Sequence, residues 1–167
     1  MVLDPEFIIE GLADSKKITA AKRTTLATAI FKHALSWSIG RAEPGEIDRY
    51  NILQASLLAM ARAYTTLSVK PDYALVDGLY YPDIACPGEA MVQGDARVSA
   101  ISAASIIAKV YRDAEMHSLE QIFPGYEFAR HKGYPTAIHL QKLHLMGITE
   151  LHRKTFAPVR KYLFHES

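Results

Sequence analysis

Twice between residues 73 and 113 the chain runs a short apolar stretch into an aspartate, and the second time it goes on into a helix. Tyr73-Ala74-Leu75-Val76 ends at Asp77-Gly78, and Ala90-Met91-Val92-Gln93-Gly94 ends at Asp95. Each run has the length and flanking residues of a buried strand bounded by a turn. After Asp95 an Ala/Ser-rich pattern begins, with Ser99 placed to cap a helix. A strand, a second strand and a helix start therefore place two carboxylates near strand ends, and the chain is expected to be an α/β protein.

Strand ends in an open α/β sheet are where ligands bind. Paired hard carboxylates there suit Mg²⁺ or Mn²⁺ acting on a phosphate. A plainer reading stands beside this one. Asp-Gly after a strand is ordinary turn chemistry, and an aspartate shortly before a helix can serve the positive end of its dipole. The recurrence of the device, with a helix behind it, is what favours a site.

The 167 residues are 49% hydrophobic and 22% charged, which suits one globular domain over 1–167 with a sizeable core. A formal net charge of +1 gives no sign of a nucleic-acid partner, so the distribution has to be read instead. From Arg130 onward, Arg130, Lys132, Lys142, Arg153, Lys154, Arg160 and Lys161 outnumber Glu150 and Glu166. A single cysteine, Cys86, excludes an internal disulfide or a thiolate zinc site and fits a reducing, cytoplasmic setting. No apolar run is long enough for a membrane span, and MVLDPEFIIEG lacks the pattern of a signal peptide.

In chain order, Val2-Leu3 before Asp4-Pro5 reads as the end of a strand. Ala13-Asp14-Ser15-Lys16-Lys17 is a polar loop, either a helix lead-in or a place where lysines meet phosphate. Thr19 caps a helix near 20–34 whose inward positions include Leu26, Ala29 and Ile30. Leu35-Ser36-Trp37-Ser38-Ile39-Gly40 alternates with period two, giving a strand with one buried face. A helix near 46–67 follows, with Leu53, Leu57, Met60, Ala61, Tyr64 and Leu67 as its apolar face. Further strands are expected near 73–77 and 89–94, and helices near 99–119 and 136–146. Thr136 caps the last of these and Gly147 ends it. His139 and His144 on that helix suit surface or packing positions, since no metal-binding histidine spacing occurs. Phosphate-binding glycine loops and the Gly-x-Ser-x-Gly elbow are absent as well.

Several longer motifs occur in a fixed order. They are Leu12-Ala13-Asp14-Ser15-Lys16-Lys17, Trp37-Ser38-Ile39-Gly40-Arg41-Ala42-Glu43-Pro44, Asn51-Ile52-Leu53-Gln54-Ala55 and Leu75-Val76-Asp77-Gly78. Gly94-Asp95-Ala96-Arg97-Val98 follows, then Ile101 to Val110, then His131-Lys132-Gly133-Tyr134-Pro135-Thr136. With these pieces the sequence resembles bacterial ribonuclease HII over essentially its whole length.

The resemblance implies a ribonuclease H-like fold, a mixed sheet flanked by helices. It implies endonucleolytic cleavage of the RNA strand of RNA–DNA hybrids and of single ribonucleotides embedded in duplex DNA. It also implies a two-metal site for Mn²⁺ or Mg²⁺ held by four carboxylates, of which Asp77 and Asp95 match two. Ser15, Lys16 and Lys132 match positions contacting the nucleic-acid backbone, and Tyr134 matches the tyrosine that senses the step from ribonucleotide to deoxyribonucleotide. The family's other two carboxylates lie in an Asp-Glu-x-Gly-Arg-Gly segment on an N-terminal strand, which these residues do not contain. The expectation is therefore a monomeric nuclease with its N-terminal strand missing and its activity reduced. The alternative is an inactive remnant that at most binds hybrid.

Overall fold

The computed structural model describes residues 1–12 and 17–163, which group into two compact units. One comprises Met1–Arg41 and Ser56–Val110, the other Ala42–Ala55 and Tyr111–Ser167. Among the described residues no helix is long and apolar enough to cross a membrane.

The first unit opens with β1 (Val2–Leu3), which pairs antiparallel with β2 (Ala34–Ser36). Between them lies α1 (Ala20–His33), capped as its sequence predicts: the Thr19 hydroxyl accepts a hydrogen bond from the Lys22 N–H at 3.2 Å. Its buried positions are Leu26, Ala27 and Ile30, with Ala27 rather than Ala29 turned inward.

The strand expected over 35–40 is shorter, and its buried face is polar. Leu35 and Trp37 remain 50% and 43% exposed while Ser36 is buried. The hydroxyl of Ser36 explains the inversion, because it accepts the backbone N–H groups of Ser68 and Val69 at 3.1 and 3.3 Å. A serine that satisfies two inward-facing donors is worth more there than an apolar side chain that would leave them unpaired. Beyond β2 the chain presses onto helix backbone. A Cβ on Gly40 would overlap the Ala59 carbonyl, so only glycine permits this approach.

Helix α2 (Pro44–Thr66) carries a break that its periodicity did not reveal. Asn51 has φ +69°, and its side-chain oxygen accepts the Gln54 N–H at 3.1 Å, so it starts a new helical run inside the old one. Asparagine tolerates positive φ and caps well, and here it does both. The expected apolar face is only partly covered: Leu67 is buried, Met60 and Tyr64 are half-buried, and Leu53 is exposed.

Strands β3 (Ala74–Asp77) and β4 (Gly88–Met91) pair in parallel, with Ala74 opposite Gly88 and Asp77 opposite Met91. Gly88 is required because a Cβ there would meet the Ala74 carbonyl and the Tyr81 ring. After a 3₁₀ turn (Gly94–Ala96) comes α3 (Ser99–Ile122). Its residues Ala103, Ile106 and Ile107 pack with Leu26, Ala27 and Ile30 of α1 to form the core of this unit.

The second unit takes the later residues of α3, then α4 (Phe128–His131), α5 (Ala137–Met146) and α6 (Ala157–Arg160). As expected, α5 is capped by the Thr136 hydroxyl, which accepts the His139 N–H at 3.3 Å, and it stops at Gly147 with φ +78°. Met116, Tyr126, Phe128, Leu143 and Val159 form the core. Asp48, near the start of α2, accepts the N–H groups of Lys154 and Thr155 at 2.7 and 2.9 Å and so ties two distant stretches of this unit together.

Candidate active site

Because β3 and β4 run in parallel, both chains leave at the same end of the pair. Asp77 is the last residue of β3, and Gly78 turns away with φ +123° while its N–H still reaches the Met91 carbonyl at 2.9 Å. On the neighbouring chain β4 stops at Met91, earlier than the expected end at residue 94. Gln93 adopts left-handed φ and ψ of 57° and 34°, which redirects the backbone into the 3₁₀ turn. Asp95 therefore sits within that turn and not at a strand end, and Ser99 is the first residue of α3 rather than its cap. The first bond of α3 is received by the Val98 carbonyl from Ser102, which puts Val98 at the capping position.

One hydrogen bond links the two aspartate segments. The Gly94 N–H donates to Oδ1 of Asp77 at 2.8 Å. Gly94 is buried beneath Ile101 and Met91, whose side chains a Cβ would strike. That bond holds the Asp77 carboxylate from a buried backbone position one residue before Asp95. The Asp77 side chain is exposed and Asp95 is half-buried. Within the same unit, a cavity of about 610 Å³ reaches Asp77, its other walls including Gly40, Ala59, Val76 and Ala104.

This donor set suits a hard divalent cation. Mg²⁺ is held through one or two carboxylates, with water and substrate phosphate completing its octahedron, and does not need a full protein cage. Among the described residues no group of three or more His, Cys, Asp or Glu side chains is arranged to hold a metal ion, so a soft or histidine-rich centre has no counterpart.

The remaining candidates belong to other segments. Ser15 and Lys16 lie outside the described residues. Lys132 and Tyr134 lie in the second unit, on the loop between α4 and α5. Lys132 ends α4 with φ +52°, and its Nζ donates to His117 Nε2 at 2.8 Å. The Tyr134 side chain is 61% exposed, while its backbone N–H is bound to the His131 carbonyl at 2.8 Å.

Beneath that loop lies a cluster that the sequence did not disclose. His131, His139 and His152 are all buried; the first two rings stack at 3.9 Å, and His139 and His152 meet Nε2 to Nε2 at 3.1 Å. His139 is thus the packing residue that its place on α5 suggested, whereas His144 is exposed. Burial pushes His152 down to about 4, helped by the neighbouring His139, and pushes His139 down as well against the opposing effect of the Tyr134 carbonyl.

Comparison with known proteins gives a consistent result. The family model for Ribonuclease HII matches residues 4–159. Ribonuclease HII from Nitrosococcus oceani is 54% identical over 163 residues, which are 98% of this chain and 81% of that protein. The crystal structure of ribonuclease H2 from Pyrococcus horikoshii superposes with a TM-score of 0.75 at 24% identity, covering 91% of this chain and 80% of that one. A chain of the PCNA:RNase HII complex from Archaeoglobus fulgidus gives a TM-score of 0.60 at 22% identity, covering 87% and 78%. The two structures bear out the expected mixed α/β fold with flanking helices.

Proposed function

The chain belongs to the ribonuclease HII family, and on that premise we propose that it hydrolyses the RNA strand of RNA–DNA hybrids and cuts at single ribonucleotides embedded in duplex DNA. The observation that carries the reading is the Gly94 N–H bond to Asp77 at the open end of the parallel strand pair. It brings two hard carboxylate segments to one end of one sheet, which is what phosphodiester chemistry assisted by Mg²⁺ or Mn²⁺ requires.

Asp77 and Asp95 hold the metal in this reading. Such a metal, when bound there, would supply Lewis-acid activation of a water and charge stabilisation of the leaving oxygen. The chain's own part is to place negative oxygens where the cations sit and to keep the Asp77 rotamer fixed through Gly94. Ser15, Lys16 and Lys132 contact the phosphate backbone. Tyr134 lays its ring against the sugar and uses its hydroxyl near the 2′-OH, the group that separates RNA from DNA at one position. Residues 1–167 act as one ribonuclease HII-like domain, as a cytoplasmic monomer; the family match over 4–159 supports the single domain.

The test is cleavage of a duplex carrying one ribonucleotide, with Mg²⁺ and Mn²⁺ titrated separately. Metal-dependent incision beside the ribonucleotide, lost in Asp77→Asn, is the expected result. Binding of hybrid without incision at any metal concentration would refute it in favour of an inactive binding protein.

A further inference from the structure

The loop bearing Lys132, Gly133 and Tyr134 is underpinned by the three buried histidines, whose exposures are 4% for His131, 5% for His139 and 6% for His152. Their partners fix one tautomer for each ring. The Tyr134 carbonyl can only accept, so His139 carries its proton on Nδ1, which donates at 2.9 Å. The neutral ring then offers Nε2 as an acceptor, and the facing Nε2 of His152 must donate across the 3.1 Å contact. That leaves His152 Nδ1 to accept the Thr149 N–H at 3.0 Å and the Thr149 hydroxyl at 2.9 Å. His131 donates from Nε2 to the Tyr126 carbonyl at 2.8 Å and accepts the Gly133 N–H on Nδ1 at 3.1 Å.

All six ring nitrogens are engaged, with one proton on each ring. A second proton anywhere would oppose an N–H: that of His152 for His139, of Thr149 for His152, of Gly133 for His131. The arrangement is not a metal site, because each nitrogen is already committed and no three-ligand group exists among the described residues. Around it, Phe128 meets His131 and His139 edge-on at 5.5 and 6.1 Å. The titratable group in contact from outside the cluster is Tyr126, whose ring lies 5.8 Å from His152 and whose hydroxyl donates to the Met146 and Gly147 carbonyls. The charged residues flanking on α4 and α5, Glu127, Arg130 and Lys142, pair with one another.

Two bonds of this network end on loop backbone, at the Gly133 N–H and the Tyr134 carbonyl. With its side chain largely in solvent, Tyr134 owes its place to backbone anchoring more than to core packing. We propose that His139, locked in its Nδ1–H form by His152 and stacked on His131, is a positioning residue that fixes the backbone of Tyr134 so that its side chain meets the ribose in one orientation. This rests on the role given to Tyr134 above.

The test is a two-by-two cycle of His139→Ala and Tyr134→Ala on a duplex with one embedded ribonucleotide, with Tm measured for every variant. Each single change is expected to lower kcat by about 10- to 100-fold, the cost of misplacing a group by roughly 1 Å. The double variant should be no slower than Tyr134→Ala alone. His139→Asn, whose amide nitrogen can replace Nδ1 as donor to the Tyr134 carbonyl, should recover most of the rate. Losses that multiply in the double variant would overturn the proposal, since independent sites add in free energy. So would a His139→Asn protein that matches wild type in Tm yet cleaves as poorly as His139→Ala.

A second readout needs no substrate. Imidazole ¹⁵N spectra of the wild-type protein at neutral pH should show His139 as the Nδ1–H tautomer and His131 and His152 as Nε2–H. Any other assignment overturns the network. If Tyr134→Ala cleaves normally while these tautomers are found, the role of Tyr134 fails and the positioning proposal with it, but the network stands.

Discussion

One oxygen of Asp77 accepts the Gly94 N–H, and substitutions can separate that bond from the carboxylate charge. Asparagine keeps an Oδ1 acceptor for Gly94 and removes only the charge. Asp77→Asn should therefore lower hydrolysis by orders of magnitude while leaving Tm close to wild type. Alanine removes the acceptor too and leaves a buried N–H unpaired, at a cost of about 1–3 kcal/mol. Urea unfolding should show that loss for Asp77→Ala and not for Asp77→Asn. Asp95→Asn should impair hydrolysis with a smaller effect, since Asp95 sits on a turn rather than on a strand. If both asparagine variants cleave at normal rates under limiting Mg²⁺, the two residues are structural.

At the scale of the element, the change between two-residue and helical periodicity marked the long helices and the strand that ends at Asp77, although α2 covers its apolar face only in part and β3 is half-buried rather than buried. It failed where a single polar side chain overrode the pattern. Ser36 is buried because its hydroxyl receives two backbone donors, which alternation of apolar residues cannot signal. Gln93 ends β4 early through a left-handed backbone that its residue type does not announce. The aspartates and the Tyr134 loop were legible as candidates from their motifs. The histidine cluster was not, because residues 131, 139 and 152 share no spacing and meet only through tertiary packing. The break at Asn51 is the most testable of these departures. Asn51→Ala should cost about 0.5–2 kcal/mol and Asn51→Gly only a few tenths, because glycine accepts the positive φ and is itself a fair cap. Equal losses in chemical denaturation would mean that the side-chain bond to Gln54 outweighs the backbone conformation. In the core of the first unit, Ile106→Ala should cost about 2–5 kcal/mol, since its side chain is fully buried against α1.

For the molecule as a whole, the His139–His152 pair shapes the response to acid. His152 is lowered from 6.5 to about 4 by burial and then by His139, and His139 is lowered in the same direction, chiefly by burial. In the unfolded chain both regain ordinary values near 6.5. Between those limits the unfolded chain binds protons that the folded one refuses, so unfolding free energy falls as pH drops from about 6.5 towards 4. Above 6.5 neither state is protonated and the effect vanishes. Two carboxylates act in a different window. Burial raises Asp48, but hydrogen bonds from Thr155 and Lys154 and the charge of Arg153 outweigh it and hold it below 3.8. Glu127 is held below 4.5 by its bonds to Lys142 and Arg130. Their contributions are present above those ordinary values and are lost only as pH falls further. Tm measured from pH 7.5 to 3.5 should thus begin to drop near 6.5, before carboxylate protonation can contribute. His152→Gln keeps an amide donor towards His139 but cannot take up a proton, so its Tm should be lower at neutral pH and flatter between 6.5 and 4. A wild-type Tm that stays level down to pH 4.5, or a His152→Gln slope as steep as wild type, would mean that the cluster accepts protons in the folded state without the conflict its hydrogen bonds require.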